Sequence, residues 1–460
     1  MVANEQTPDL RVGLSYKQIL QMALPISAAI LVPQINFVTN NIFLGTLGES
    51  ALAVAGITGI FYMIFAVIGQ GLNTGLQSLL SRKAGAQQTE QIAQLFNEGQ
   101  LIALVMSVLG IATVWLLAPI VLRSTMHDPT NVEMAVNFLQ IRILGLPLLY
   151  MYLMRNALLV STHQTKLLII GTATEALFNV FFDYVLINGK WGFPQMGFNG
   201  AAVASIIAEL AGLLSVMVVL KKNAIIKQLK ISANIQWPLL YLPDIVKQAA
   251  PIVLQYVLSI ISWEIFYILI EHHGSRALAI SNTMRNIFGF FGCFTWALAA
   301  TTNSMVSNVV GQGLYDKVFE LIGKIMRLSL GFSAIVCGVI NLFPHAILSV
   351  YGQGEAFVND AIPVLQVVSS AMMLMSVSVV WLNAVTGSGN PNMNLLTEIC
   401  AIVVYIIYVY TVLEVYHLPI TFGWASEWLY WGVMLVPSYW FMQSNRWQKK
   451  YAKQQQDIQD

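Results

Sequence analysis

Glu175, Asn179 and Asp183 lie four residues apart inside one long apolar stretch, a spacing that stacks them on a single helix face. Asn36 and Asn40 repeat the four-residue step in an earlier apolar stretch. At a rise of about 1.5 Å per residue, Asn40 and Asp183 each sit roughly 6 Å from the far end of their segment, with Asn36 and Asn179 about one turn deeper. Two matched rungs of amide and carboxylate oxygens are ligands suited to a hard cation, and the carboxylate is also a proton acceptor. The expected site is therefore a cation or proton site at Asp183, Asn179, Asn40 and Glu175, with Na+ the one metal ion expected there. The competing role for Asn36 and Asn41 is hydrogen bonding that holds helices together.

An ionisable side chain in hydrocarbon costs roughly 3 kcal/mol on insertion scales, so each one is a candidate for function. Glu209 lies at a depth from which it joins the same polar pocket. Glu264 and Arg285 lie at similar depths in neighbouring segments, which suits a buried ion pair, with a coupling role for Glu264 as the alternative. Arg142, Gln70, Glu398 and Glu427 read as snorkelling or locally paired groups. His163 falls in a loop and is given no role.

Positioning these groups requires membrane-spanning helices. Hydrophobic residues make up 57% of the 460-residue chain and charged residues 10%, with mean hydropathy +0.68; soluble domains carry roughly 25% charged residues. Each span needs about 20 mostly apolar residues. Twelve such stretches run approximately from 17–44, 51–80, 96–122, 132–157, 165–187 and 199–220, then 246–271, 276–308, 319–346, 357–386, 394–414 and 423–443. The fold class is all-α and polytopic. Its expected parts are an N-terminal six-helix lobe (1–222), an amphipathic cytoplasmic linker (223–245), a C-terminal six-helix lobe (246–445) and a cytoplasmic tail (446–460).

An even count places both termini on one side. Lys and Arg choose the side: Arg82, Lys83, Lys221, Lys222, Lys227 and Lys324 lie on the face shared with the termini, whereas the opposite loops hold only Arg123, Lys190 and Arg276. Both termini are expected in the cytoplasm, in an inner or plasma membrane. A net charge of +1 gives no pull toward nucleic acid. Cys293, Cys337 and Cys400 all fall in apolar segments and read as small buried residues, with no disulfide or zinc pattern. Neither an H-E-x-x-H nor a G-x-S-x-G motif supports an intramembrane enzyme. No enzyme activity and no organic cofactor are expected, and a monomer is.

The chain repeats itself. Gly48 and the run Ala51, Leu52, Ala53 match Gly274 and Ala277, Leu278, Ala279 at an offset of 226; Pro25 with Pro251, Ser81 with Ser307 and Gly85 with Gly311 share it. Two six-helix copies of like orientation are related by an axis along the membrane normal. Pro25 and Pro251 each remove a helix hydrogen bond, as a hinge or a static kink. Tyr405 and Val409 occupy the counterparts of Asn179 and Asp183, so the cation site is expected in the first copy alone.

The passage from Asn40 through Gly45, Gly48 and Ala51-Leu52-Ala53 to Ser81 and Gly85 resembles the first two helices of the multidrug and toxic compound extrusion (MATE) family. Asn179, Asp183-Tyr184 and Gly197 with Gly200-Ala201-Ala202 resemble its fifth and sixth, and Gly387-Ser388-Gly389-Asn390-Pro391 fits the second half. The resemblance implies an antiporter that uses sodium or protons to expel small organic compounds, often cationic or aromatic, by alternating access. It further implies that Pro25, Asn156, Asn179 and Asp183 belong to the N-terminal lobe pocket, which with Asn36 and Glu209 forms the expected substrate pocket. Asn40 departs from the family's usual aspartate, and an amide takes up no proton. In some relatives a glutamate two turns past the seventh-helix proline carries coupling; here Ser259 stands there. The alternative within the superfamily, a lipid-linked oligosaccharide flippase, calls for several central Lys or Arg, and only Arg142 and Arg285 lie inside spans.

Overall fold

The computed structural model describes residues 8–126, 128–229, 231 and 237–448, and every regular element among them is helical. Twelve long helices follow in chain order: α1 (Tyr16–Gly45), α2 (Glu49–Gly85), α3 (Thr89–Thr125), α4 (Pro129–Ser161), α5 (Thr165–Asn188) and α6 (Phe198–Lys222). The second six are α7 (Leu242–Glu271), α8 (Ser275–Gly311), α9 (Tyr315–Leu342), α10 (Glu355–Gly387), α11 (Pro391–Val415) and α12 (Ser426–Gln443). Ten of these contain a stretch long and apolar enough to cross a membrane. Of the other two, α12 mixes Ser, Glu, Tyr and Trp with its apolar residues, and α8 carries Arg276, Arg285 and a cluster of Thr, Asn and Ser near its end. The polar side chains of α8 turn inward: Ser307 Oγ donates to the Gly387 carbonyl (2.9 Å), and buried Asn308 accepts from the Val12 amide (3.0 Å).

The offset of 226 holds in three dimensions. It separates the first residues of α1 and α7, α2 and α8, α3 and α9, α4 and α10, and α5 and α11. Gly48 and Gly274 explain two of the matched glycines: each precedes the second helix of its half with φ of +108° and +95°, a backbone region that side chains with a Cβ avoid.

Contacts divide the chain into two compact units. The first takes Ala28–Val253 with the described residues up to Arg11, and the second takes Val12–Ser27 with the described residues from Leu254 onward. This departs from the boundary expected at the linker. The start of α1 belongs to the second unit and the start of α7 to the first, and Pro25 and Pro251 lie within three residues of the two crossing points. Glycine explains the placement of α7. Gly71 and Gly75, one helical turn apart on α2, leave no room for a Cβ: one built there would stand 2.8 Å from the Cα of Val253 and of Ala249 respectively. Backbones that close are the usual result of small residues at a four-residue spacing. Gln248 Nε2 on α7 adds a hydrogen bond to Ser78 Oγ of α2 (3.2 Å).

A carboxylate fixes the beginning of α7. Glu98 of α3, fully buried, accepts from the backbone amides of Leu240 (3.1 Å) and Tyr241 (2.8 Å) and from Gln94 Nε2 (3.0 Å). It satisfies donors that a helix start leaves open and places negative charge at the positive end of the dipole. In the linker, Ala224–Gln228 forms a helical turn capped by Asn223, with Ile226 and Leu229 buried and Lys227 exposed. Residue 230 and residues 232–236, part of the amphipathic segment, lie outside the described residues, as do 449–460 of the tail. Cys293 is buried, but Cys400 is exposed, contrary to the reading of all three cysteines as buried.

His163 has a partner. Its Nε2–H donates to the Leu10 carbonyl (2.9 Å), while Nδ1 is buried without one, and burial lowers its pKa from the ordinary imidazole value.

Two outcomes follow. Glu98→Ala leaves the partly buried Leu240 and Tyr241 amides without their carboxylate and lowers unfolding stability by about 1 kcal/mol per lost hydrogen bond, read by denaturant unfolding in detergent; a melt unchanged from wild type contradicts the capping role. Because the unfolded chain protonates His163 more readily than the folded one, stability contributed by this group is complete above about pH 6.5 and falls as pH drops below it. Thermal midpoints taken from pH 7.5 to 5 show a steeper acid decline for wild type than for His163→Gln, and parallel curves contradict the assignment.

Candidate functional site

In the first unit the two predicted rungs meet. Asn40 of α1 presents its side-chain nitrogen to three oxygens: Asn179 Oδ1 (2.7 Å), Asp183 Oδ2 (2.5 Å) and the Asn36 carbonyl (3.2 Å). Asp183 is fully buried and Asn179 nearly so. Asn179 Nδ2 in turn reaches Ser205 Oγ on α6 (3.5 Å). Helix α5 can bring this face inward because α6 packs tightly behind it. A Cβ on Gly200 would stand 2.9 Å from the backbone of Leu186, and one on Gly212 would stand 3.3 Å from the Gly171 carbonyl.

Two oxygens at this cluster are buried without a hydrogen-bond partner, Asp183 Oδ1 and Asn36 Oδ1. An orphaned carboxylate oxygen costs free energy unless something binds it. Asp183 Oδ1, Asn36 Oδ1 and the Asn179 amide oxygen fit a monovalent hard cation, and Asp183 is the one group in the cluster able to take a proton. No group of three His, Cys, Asp or Glu side chains capable of holding a metal is found among the described residues. Beside Asn36, Phe43, Val180, Phe181 and Tyr184 line an apolar groove between α1 and α5.

The remaining pocket residues fall elsewhere. Glu209 does not join the Asp183 cluster. It is locked in a buried ion pair with Arg142, Arg142 Nη2 to Glu209 Oε1 at 2.5 Å and Nη1 to Oε2 at 3.2 Å, and it also accepts from Tyr62 Oη (3.1 Å). The guanidinium carbon lies over the Tyr62 ring, 3.8 Å from its centre. The pairing uses a break in α4: Ile143–Gly145 is a 3₁₀ turn, and a Cβ on Gly145 would collide with Glu209 Oε2. Glu175 lies within electrostatic reach of Arg142 and Glu209 and so belongs to this second cluster. Asn156 is on α4 with its Oδ1 buried and unpartnered. Pro25, expected in the pocket of the N-terminal lobe, is buried in the second unit.

In the second unit no ion pair within 4 Å joins Glu264 to Arg285; Arg285 lies over the rings of Trp263 (5.6 Å) and Tyr267 (5.5 Å) instead. Cation–π contact satisfies the guanidinium while Glu264 acts on it only at longer range. Tyr405 and Val409, the counterparts of Asn179 and Asp183, are buried and carry no charge. Sequence reasoning did not identify Ser205 and Tyr62 as partners, nor Arg142 as the mate of Glu209. The last pair is 67 residues apart, and only the packing of α4 on α6 reveals it.

A match to the MatE family covers residues 25–185 and 251–411, two segments again 226 apart. A probable multidrug resistance protein NorM from Synechocystis sp. is 30% identical over 203 residues, so the match spans 44% of each chain. The multidrug resistance protein NorM of Burkholderia vietnamiensis is 23% identical over 72% of this chain and 71% of that one. Among solved structures, an outward-facing multidrug resistance MATE family transporter of the MOP superfamily superposes with a TM-score of 0.82 at 16% identity, covering 93% of this chain and 95% of the other, a likeness of fold.

The Arg142–Glu209 pair yields a double-mutant test. Arg142→Met leaves Glu209 buried and unpaired, at a cost of about 3–5 kcal/mol, whereas Arg142→Met with Glu209→Met recovers most of the loss. Unfolding of both variants in detergent decides; a double variant no more stable than the single one removes the pairing argument.

Proposed function

We propose, since this chain belongs to the MatE family, that it is a cation-coupled antiporter exporting organic, often cationic or aromatic, compounds by alternating access. The observation that carries this reading is the buried Asn40–Asn179–Asp183 cluster with its open carboxylate oxygen. The names of the relatives, multidrug resistance proteins, support the class of cargo. The Lys and Arg bias supports a multi-pass protein with both termini in the cytoplasm.

With the cation absent, the Asn40 N–H group offsets part of the charge on Asp183 and ties α1 to α5. Na+ would be held by Asp183 Oδ1, Asn36 Oδ1 and Asn179 Oδ1, and would supply the positive charge that this carboxylate lacks. Asn40 then has reason to turn its oxygen toward the ion, which breaks its bonds to Asp183 and Asn179. A proton on Asp183 would remove the charge instead. Either way, α1 is held to α5 differently in the loaded and unloaded forms. A cargo that favours one form is thereby exchanged against the cation.

Efflux of a fluorescent cationic dye from proteoliposomes, driven by an imposed sodium or pH gradient, tests the proposal. Wild type moves dye under one gradient, and Asp183→Asn loses at least tenfold of that rate while remaining folded. Dye efflux unaltered in Asp183→Asn removes the cluster from coupling, and no efflux under either gradient removes the antiporter reading.

A further inference from the structure

Residues 9–14 lead into α1 as a strap whose residues alternate as in an extended chain: Leu10 and Val12 are buried, and Asp9, Arg11 and Gly13 are exposed. The strap is fastened to both units. On the first, the Leu10 carbonyl accepts from His163 Nε2 (2.9 Å) and Asp9 Oδ1 accepts from Gln87 Nε2 (3.1 Å). On the second, the Val12 amide donates to Asn308 Oδ1 (3.0 Å) and the Val12 carbonyl accepts from Gln312 Nε2 (3.0 Å). The Leu14 carbonyl accepts from Lys324 Nζ (3.0 Å) on the same unit. The division between the units falls at the single peptide bond from Arg11 to Val12.

The repeat shows which part of this arrangement is shared and which is added. Applying the offset of 226, Leu14 and Lys324 are the counterparts of Leu240 and Glu98. A side chain of α9 thus holds the carbonyl ahead of α1 where a side chain of α3 holds the amide ahead of α7. Each of these anchors lies inside one unit. The bonds of Asp9 and Leu10 are the addition: they carry the strap onto the other unit.

We propose that this strap is a latch on the side of the termini, released from the first unit and retained by the second when the units move during transport. Leu10 and Val12 are two residues apart, about 7 Å at full extension, so a segment bonded to both bodies cannot follow both. The weaker anchor gives way. The second unit holds three backbone groups, one of them through a cation and one through a fully buried amide side chain. The first holds one backbone group and an exposed carboxylate. Release brings the Leu10 side chain into water, which favours the fastened form until binding of cation or cargo offsets that cost. The inference rests on the transporter reading for the motion that the latch restrains; the unequal anchors themselves require none.

Reversible cross-linking is the test, in a variant with Cys293, Cys337 and Cys400 replaced by Ala that still moves dye. Leu10→Cys with His163→Cys places a thiol pair across the first anchor, and Val12→Cys with Asn308→Cys places one across the second. A short bis-methanethiosulfonate joins each pair in proteoliposomes, and dithiothreitol frees it. Joining the first pair lowers dye efflux at least tenfold and reduction restores it, whereas joining the second leaves efflux within twofold. Efflux indifferent to the first link, or blocked equally by both, overturns the latch. Where the first pair is inactive even when reduced, Asp9→Cys with Gln87→Cys spans the same anchor. Maleimide labelling in nanodiscs needs no dye movement: the single thiol of Leu10→Cys reacts at least tenfold faster than that of Val12→Cys, and equal rates overturn the order of release. A protein that moves no dye yet shows this difference removes the antiporter and retains the unequal anchors.

Discussion

A polar group in hydrocarbon has no water to bind, so every one carried into a span must find a partner in the protein or stand ready for a ligand. That constraint organises this structure. The carboxylate of Glu209 is met by a guanidinium, Glu98 by three N–H donors, and Ser307 and Asn308 of α8 by backbone groups. Against this background, the buried oxygens left open at Asp183 and Asn36 mark one place where the protein has not closed its own hydrogen bonding. Such groups are tolerated because the surrounding helices hold them in place, through Gly200 and Gly212 behind α5 and through Asn40 across from it.

Duplication supplied the frame, and substitution divided its uses. The starts of five helix pairs keep one spacing, and so do the tight glycine turns at Gly48 and Gly274. Yet the counterpart of Asn179 in the repeat is Tyr405, and that of Asp183 is Val409. Helix geometry survives such exchanges because it depends on backbone packing at small residues, whereas the chemistry of a site depends on a few side chains that the packing does not dictate.

Much of this was legible in the sequence. Hydropathy and length identified the spans, the repeat gave their pairing between halves, and the four-residue steps brought Asn36, Asn40, Asn179 and Asp183 to one cluster. Depth alone could not tell that Glu209 would turn to Arg142 rather than to Asp183, because both lay within reach and only the 3₁₀ break at Gly145 selects the partner. Glu264 and Arg285 had matching depths but faced a competitor, the Trp263 and Tyr267 rings, which charge counting ignores. The division of the chain was also hidden: the linker is the natural place to cut by composition, but Gly71 and Gly75 draw the start of α7 onto α2.

Each compact unit is finished by a helix end from the opposite half of the chain, Tyr16–Ser27 in one direction and Leu242–Val253 in the other. Such a reciprocal loan is the arrangement of a segment-swapped pair. A half-length ancestor built this way would have been incomplete as a single copy and whole only as two, each inserting its leading helix into its twin. Fusion of two such copies into one gene would have preserved the exchange while freeing the lender and the borrower to diverge, and it explains why a cut between the halves severs neither unit cleanly.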